Sequence, residues 1–302
     1  MFQFEGVSVR YGKETVLQDL SFLLESGPIY GIVGPDGAGK TTLLQLLVGL
    51  LSPTEGFIKK TESVSIGFVS EHFGLYEEMS LQENLLFYGT LRGLQRIEAE
   101  KRADELLKWA SLEPFADRAA GNLSGGMKRK LAIIAAILHH PACLVLDEPT
   151  HGVDPVSRRE IWRLIQEIKQ TGTTVIVSTQ YLDEVPQCDE VLLLFQGKLM
   201  QKESPLTLVE QFPFRVFRLA GMRRRKTRDL LSVKQIPGVV DAFFRGADWI
   251  LLCEKERKIT RQLEIWKEKE GLAQKLEKIE PSFEDVFIHL MRMGGKPDDS
   301  AL

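Results

Sequence analysis

The sequence predicts an α/β protein with a mostly parallel sheet, an inserted helical subdomain and a small α+β domain near its carboxyl end. In the first part of the chain, apolar runs typical of buried strands alternate with helical patterns, as in a parallel sheet with crossover helices. After Phe212 the pattern changes to strands at 215–219, 239–244 and 249–253, with helices at 223–233 and 259–271. We therefore expect a first domain at 1–212, an α+β domain at 213–293 and a flexible tail at 294–302.

Length and composition are those of an ordinary globular protein that can bury a sizeable core. Of the 302 residues, 43% are hydrophobic and 27% are charged, and the net charge is −3. This small charge provides no general attraction to nucleic acid, so no nucleic-acid partner is expected. The three cysteines have no metal-ligand spacing and favour a reducing cytosol. With no signal peptide and no apolar run near the roughly 20 residues of a membrane span, any transport would require a partner protein.

The first chemical motif is a glycine-rich loop between an apolar strand at 29–33 and an apolar helix at 42–50. Its sequence, Gly34-Pro35-Asp36-Gly37-Ala38-Gly39-Lys40-Thr41, has the pattern G-x-x-x-x-G-K-[ST]. The glycines let successive N–H groups point inward, and with the helix amino terminus they form a cage for a polyphosphate. Lys40 would reach the terminal phosphates, Thr41 would offer a hydroxyl to Mg²⁺, and Thr42 would be a further donor. A plain glycine-rich turn is the alternative, and the strand-loop-helix setting disfavours it.

A second motif places two acids at the end of a strand. The run Cys143 to Leu146 is apolar without alternation, as expected for a parallel strand covered on both faces, and Asp147 and Glu148 follow it. Such acids would emerge at the carboxyl edge of the sheet, where ligands bind. Asp147 is placed to hold Mg²⁺ through water, and Glu148 to polarise the water that attacks the γ-phosphate. A helix cap or a solvated turn is the alternative.

The third motif identifies a family. Leu123-Ser124-Gly125-Gly126 precedes a basic residue and an apolar helix, and it resembles the signature sequence of the ATP-binding cassette (ABC) family, which has a P-loop NTPase fold. Ser124, Gly125 and Gly126 would present a hydroxyl and bare N–H groups at a helix amino terminus. In the family this second anion site is completed by the nucleotide of another subunit. A simple helix cap is the alternative.

The resemblance extends over residues 2–211 and implies further site residues. Tyr11 matches the aromatic residue that stacks on adenine, and Val16 would pack beside it. The segment 151–155 occupies the position of the family's D-loop, where Asp154 matches the pattern and His151 does not.

Two departures from the family concern hydrolysis. Glu71 occupies the position of the glutamine in the family's Q-loop, and Gln180 occupies the position of its switch histidine. Glu71 can still ligate Mg²⁺, but it adds negative charge near the triphosphate and Glu148. Gln180 can donate a hydrogen bond but cannot carry a proton. We expect ATP binding with impaired turnover at this site; two tolerated substitutions in an ordinary ATPase are the alternative.

The inserted helical subdomain is expected at about 72–140, and its segment 73–85 resembles the corresponding segment of drug-export cassettes. In the family this surface receives a helix of the membrane subunit. An aromatic-rich patch could dock such a helix or could form local core, and it consists of Phe73, Leu75, Tyr76, Phe87 and Tyr88. Near the carboxyl end, 281–290 resembles the closing helix of export-type cassettes, whereas the basic cluster at 223–228 is expected to be a solvated helix face or a contact to anionic lipid or a partner.

The resemblance therefore implies the ATP-binding and ATP-hydrolysing subunit of an exporter, with ATP and Mg²⁺ as cofactors. It would lie at the cytoplasmic face of the membrane, bind a separate membrane-spanning permease subunit, and dimerise with a second cassette, identical or different. Two alternatives stay open. One is a soluble cassette ATPase acting on ribosomes, DNA or iron–sulfur assembly, and the other is a regulatory nucleotide-binding pseudoenzyme, which Glu71 and Gln180 suggest.

Overall fold

The computed structural model describes residues 1–61, 64–220, 232–255, 259–270 and 275–294. The chain divides into two compact units, Met1–Pro205 and Leu206–Leu302. This division lies before the domain boundary that we proposed after Phe212. Of the expectations for the carboxyl-terminal part, residues 223–231 of the helix expected at 223–233, the basic cluster at 223–228 and residues 295–302 of the tail expected at 294–302 lie outside the described residues.

The first unit contains strands and helices in alternation. In chain order they are β1 (Phe2–Tyr11), β2 (Glu14–Leu24), β3 (Ile29–Val33), α1 (Lys40–Val48), β4 (Glu55–Lys60), β5 (Ile66–Val69), α2 (Leu81–Leu91), α3 (Arg96–Trp109), α4 (Gly125–Ile137), β6 (Cys143–Leu146), α5 (Pro155–Gln170), β7 (Thr174–Thr179), β8 (Glu190–Phe195) and β9 (Lys198–Glu203). Short 3₁₀ turns lie at 113–115, 120–122 and 185–187. Helix α6 (Pro205–Glu210) follows at the division between the units.

The mostly parallel sheet is confirmed and has six strands in the order β5-β6-β7-β3-β8-β9. Only β9 runs antiparallel, beside β8. Strands β3, β6 and β7 are buried along their whole length, as their continuous apolar or small side chains predict for strands covered on both faces. In the register, Val33 pairs with Thr179 and Leu146 with Val177, so β3, β6 and β7 end at one edge. The segments that follow these three strands therefore meet there.

A second sheet was not expected in this form from the sequence. Strands β2, β1 and β4 make an antiparallel sheet, with β1 in the centre. Buried residues alternate with exposed ones along much of β2, as in a strand with one face toward the core. Phe4 and Phe22 stack with ring centroids 4.4 Å apart, and they share a core with Leu43 and Leu44 of α1. This core supports the start of α1, where the glycine-rich loop ends.

Local hydrogen bonds fix where helix α2 begins. The Ser80 hydroxyl accepts from the Glu83 N–H at 3.1 Å, and the Glu83 carboxylate accepts from the Ser80 N–H at 2.7 Å. This capping box starts α2. The buried Asn84 side chain accepts from the Tyr76 N–H and donates to the Tyr76 carbonyl, so it holds the preceding loop. Tyr76 and Phe87 remain exposed and lie edge to face at 5.2 Å, which leaves part of the aromatic patch available on the surface.

The second unit has the α+β character that the sequence predicts. Its elements are β10 (Phe214–Leu219), β11 (Val239–Arg245), β12 (Asp248–Glu254), α7 (Thr260–Lys269), β13 (Leu276–Ile279) and α8 (Phe283–Gly294). The strands form an antiparallel sheet in the order β11-β12-β10-β13, around a core that contains the fully buried Trp249. Within the described ranges, no helix of the protein is both long and apolar enough to cross a membrane.

Candidate nucleotide site

The glycine-rich loop leaves β3 and turns into α1, as the sequence predicts. Gly37 and Gly39 have φ values of 77° and 98°, in the left-handed region that favours glycine. Gly34 is required for a different reason, because a Cβ there would collide with the carbonyl oxygen of Leu194. Helix α1 begins at Lys40, two residues before the helix expected at 42–50, so its first N–H groups belong to the loop itself.

Lys40 is held inside the loop. Its side chain is only 7% exposed, and Nζ donates to the carbonyl oxygens of Gly34 at 2.9 Å and Pro35 at 3.3 Å. The same Nζ lies 3.3 Å from Oε1 of Glu148. The two residues that the sequence assigns to phosphate binding and to activation of water therefore form a buried ion pair.

The two acids after β6 are anchored to the neighbouring strand. The Ser178 hydroxyl of β7 donates to Asp147 Oδ1 at 2.6 Å and accepts from the Glu148 N–H at 2.8 Å. Glu148 adopts a left-handed backbone with φ of 45°, which turns its side chain out of the strand direction. Burial raises the pKa of Glu148, and the neighbouring Lys40 opposes this rise. Oε2 of Glu148 is buried and has no hydrogen-bond partner within the described residues, so it is free to accept from a bound water.

Glu71 is positioned through its backbone. The guanidinium of Arg129, on α4, donates to the carbonyl oxygen of Ser70 at 2.9 Å and to that of Glu71. Burial lowers the pKa of Arg129, while the carboxylates of Glu71, Asp147 and Glu148 act in the opposite direction. The segment after β5 is thus tied to the helix that follows Ser124.

Gln180 follows β7 and contacts a residue to which sequence reasoning gave no role. Its Nε2 lies 3.0 Å from Nδ1 of His151, in the loop after β6. The imidazole also stacks on Tyr181, with ring centroids 6.4 Å apart. Because β6 and β7 are parallel neighbours, the loops that follow them meet, and this adjacency is the signal that could have paired His151 with Gln180.

These elements enclose a cavity of about 450 Å³ at the carboxyl edge of the sheet. It is lined by Val16, Asp36, Gly37, Ala38, Gly39, Lys40, Thr41, Thr42, Glu71, Glu148, His151 and Gln180. A cavity of about 500 Å³ elsewhere in the first unit, beside Trp109 and His140, has none of the motif residues in its lining. The cavity at the sheet edge is therefore the candidate nucleotide site.

The remaining site candidates do not line this cavity. Tyr11 is half exposed at the end of β1. Gly34 and Asp147 lie behind the lining residues and support Lys40 and the Glu148 backbone through the contacts above. Their direct roles toward nucleotide stay predictions.

The signature segment caps a helix. Ser124 is the N-cap of α4, and its hydroxyl accepts from the Met127 N–H at 3.3 Å. Nothing approaches the open side of Gly125, whereas Gly126 is in close contact with Ser157 of α5. Asp154 similarly caps α5, where it accepts from the N–H groups of Val156 and Ser157, and the hydrogen bonds with Ser157 lower the pKa of Asp154. Both caps stabilise the helices that they begin. Ser124, Gly125, Gly126 and Asp154 do not line the cavity of their own chain, so their nucleotide contacts stay predictions.

The oxygen donors at the sheet edge suit Mg²⁺. Magnesium is commonly held by one or two carboxylates together with substrate phosphates and water, so it requires few protein ligands. Thr41 and Glu71 line the cavity, and Asp147 lies directly before Glu148. In the described part of the chain, no three His, Cys, Asp or Glu residues cluster as ligands for a metal held by protein alone. The site fits a magnesium ion that arrives with a polyphosphate.

Comparison with known proteins gives a consistent result. Residues 17–151 match the ABC transporter family. The chain is 36% identical over 287 residues to the probable multidrug ABC transporter ATP-binding protein YbhF of Escherichia coli, an alignment that covers 91% of the chain and 49% of that protein. It thus spans about half the length of that relative.

Two further comparisons cover more of the matched protein. The linearmycin resistance ATP-binding protein LnrL of Bacillus subtilis is 38% identical over 211 residues, which are 66% of this chain and 68% of LnrL. The ATP-binding cassette MJ0796, solved as a post-hydrolysis dimer bound to ADP and Pi, superposes with a TM-score of 0.60 at 27% identity over 68% of this chain and 98% of that one. With the phosphate loop, the strand-terminal acids and the signature segment all in place, the chain belongs to the ABC transporter family as one of its ATP-binding proteins.

Proposed function

We propose that this protein is the ATP-binding and ATP-hydrolysing subunit of an exporter whose membrane-spanning permease is a separate chain. The observation that carries the proposal is the buried pair of Lys40 and Glu148, 3.3 Å apart, at the base of the glycine-rich cavity. This pair joins a phosphate-binding cation to a carboxylate that can orient water, as ATP hydrolysis requires. The names of the relatives, a multidrug transporter component and a linearmycin resistance component, support an export role.

Nucleotide would bind to groups that now form hydrogen bonds within the glycine-rich loop. The terminal phosphates would accept from the loop N–H groups and from Lys40, which would exchange the Gly34 and Pro35 carbonyl oxygens for phosphate oxygens. Thr41, Glu71 and Asp147 would hold Mg²⁺, which neutralises phosphate charge when bound. Val16 lines the cavity where the nucleoside would enter, and Tyr11 would stack on the adenine.

Assembly with a second cassette follows from the position of the signature segment. Ser124, Gly125 and Gly126 do not line the chain's own cavity. The family resemblance implies that in a dimer they would face the nucleotide of the partner cassette, and MJ0796, a cassette of similar fold, was solved as a dimer bound to ADP and Pi. We propose such a dimer, docked to the permease at the cytoplasmic face of the membrane, with the exposed Tyr76 and Phe87 at the docking surface.

Turnover at the chain's own site is proposed to be slow. Glu71 adds a negative charge to a cavity that already contains Glu148 and would receive a triphosphate. Gln180 offers an amide at the edge where the family has an imidazole. The same two residues favour the second candidate function, a regulatory subunit that binds ATP without hydrolysing it.

The test is the affinity of the full chain for Mg-ATP, measured by calorimetry. We expect Lys40→Ala to weaken binding at least tenfold, because the substitution removes the buried cation of the phosphate cage, and Tyr11→Ala to weaken it less. Lys198→Ala, at an exposed position of β9, is the matched control and should bind like wild type. Equal affinities for wild type and Lys40→Ala would overturn the site. Measurable ATP turnover that is lost in Glu148→Gln would exclude the purely regulatory alternative.

A further inference from the structure

An imidazole occupies the candidate cavity at a position that the family pattern does not assign to one. His151 is exposed and lines the cavity together with Lys40 and Glu148. Among the described lining residues it is the single histidine. The cavity therefore retains an imidazole although Gln180, directly after β7, occupies the position of the family's switch histidine.

The contact with Gln180 favours one of the two neutral forms of the His151 ring. The amide Nε2 of Gln180 has hydrogens and no lone pair to accept with, so it donates to Nδ1 of His151 across 3.0 Å. A neutral imidazole that accepts at Nδ1 has its hydrogen on Nε2. His151 thus has an Nε2–H donor that Gln180 does not consume.

The residues after β7 hold this arrangement in place. The Tyr181 ring stacks on the imidazole and is itself covered by the guanidinium of Arg158, 4.1 Å from its centre. The Tyr181 N–H donates to the Thr179 hydroxyl at 3.0 Å, and that hydroxyl donates to the buried Glu184 at 2.7 Å. Gln180 therefore lies between two anchored residues, and its amide is a firm support for His151.

We propose that His151 donates its Nε2–H to the terminal phosphate of ATP, and that Gln180 is the positioning residue that orients the ring and favours this tautomer. The proposal rests on the proposed function. In phosphoryl transfer, negative charge is spread over the oxygens of the transferred group, and a donor already aimed at them lowers the barrier. The remaining turnover of this site thus depends on a histidine in the loop after β6, one strand away from the end of β7.

A double-mutant cycle on the full chain tests the proposal. Wild type, His151→Ala, Gln180→His and His151→Ala with Gln180→His are compared for ATPase kcat and KM. In the wild-type background, His151→Ala is expected to lower kcat about tenfold or more and to change KM less than threefold, because the lost donor acts in the transition state. Gln180→His is expected to hydrolyse faster than wild type. In the Gln180→His background, His151→Ala should lower kcat less than threefold, because the new imidazole at position 180 donates to the phosphate instead.

A second readout does not require turnover. In protein labelled with ¹⁵N at its five histidines, NMR reports which nitrogen of each ring carries the hydrogen. The resonance that disappears in His151→Ala should show an Nε2–H imidazole and should shift when Mg-AMPPNP is added, and this shift should be smaller in Gln180→Leu, where the ring has lost its positioning contact. His140→Asn is the matched control, because His140 is exposed, lies outside this cavity and has a left-handed backbone that Asn tolerates.

Three results would overturn the inference: an unchanged kcat in His151→Ala, an equal cost of that substitution in both backgrounds, or a His151 resonance that ignores Mg-AMPPNP. Failure of the proposed function is a separate outcome. If Lys40→Ala binds Mg-ATP like wild type, the nucleotide site itself is wrong. If Lys40→Ala abolishes binding while His151→Ala has no effect on kcat or on the spectrum, only the role of His151 is wrong.

Discussion

At the scale of single residues, the cavity is organised around buried charge that must be compensated before nucleotide arrives. Lys40 is satisfied by two loop carbonyl oxygens and by Glu148, and Ser178 anchors both acids after β6. One oxygen of Glu148 nevertheless lacks a partner within the described residues. A buried carboxylate with incomplete hydrogen bonding reduces stability in exchange for reactivity, as is common at functional sites.

This arrangement predicts a pH-dependent effect of Glu148→Gln on the nucleotide-free protein. Burial raises the pKa of the Glu148 carboxyl above its ordinary value of 4.5. Between 4.5 and the raised pKa, the folded state binds more protons than the unfolded state, so the carboxyl contribution to stability falls as pH rises through this window. The melting temperature of Glu148→Gln relative to wild type should therefore increase from about pH 4 toward neutral pH.

Thermal unfolding across that pH range measures the effect. Glu78→Gln, at an exposed loop position, is the control and should follow the wild-type profile. A melting-temperature difference for Glu148→Gln that stays constant or shrinks with rising pH would contradict the burial argument.

At the scale of elements, the junction of α4 and α5 shows why two neighbouring glycines differ. A Cβ at Gly126 would collide with the side chain of Ser157, whereas a Cβ at Gly125 would meet nothing within 4 Å. The signature segment therefore combines one glycine required for helix packing with one that leaves an open helix amino terminus.

We expect Gly126→Ala to destabilise the protein by about 1–3 kcal/mol through overpacking. Gly125→Ala, the matched substitution one residue earlier, should be neutral or stabilising by up to about 1 kcal/mol, because alanine favours helix. Thermal unfolding of both variants beside wild type provides the comparison. If the melting temperature of Gly126→Ala equals or exceeds that of Gly125→Ala, helix α5 can move to accommodate the added methyl group and the overpacking argument is wrong.

At the scale of the whole molecule, each chain of the proposed dimer would contribute two parts: its own nucleotide cavity and its signature segment. These two parts differ in how closely they match the family pattern. The chain's own cavity contains Glu71 and Gln180, while its signature segment keeps Leu123, Ser124, Gly125 and Gly126. We propose that the chain holds ATP in its own site and completes the active site of a different cassette.

This asymmetry predicts unequal effects in the assembled transporter. Ser124→Arg, which places a bulky side chain where the partner's phosphate would lie, should reduce substrate-stimulated ATPase activity at least tenfold. Glu148→Gln, which removes a base from the slower site, should reduce the same activity only a few-fold. Both are measured on the complex of permease and both cassettes in lipid. Equal losses, or a fully active transporter that contains only this cassette as a homodimer, would contradict the division of roles.

The sequence alone determined the features that depend on local spacing. The glycine-rich loop, the acids after Leu146 and the helix that starts after Ser124 all lie where the motifs predict, because each follows from backbone geometry within a few residues. The parallel sheet and the α+β character of the second unit were predictable for the same reason, since apolar periodicity encodes strand and helix type. Tertiary structure alone decided the pairing of His151 with Gln180, the hydrogen bond from Arg129 to the Glu71 carbonyl oxygen and the antiparallel sheet that supports α1. These features join segments far apart in the chain, and their register depends on which strands lie side by side, which no local pattern specifies.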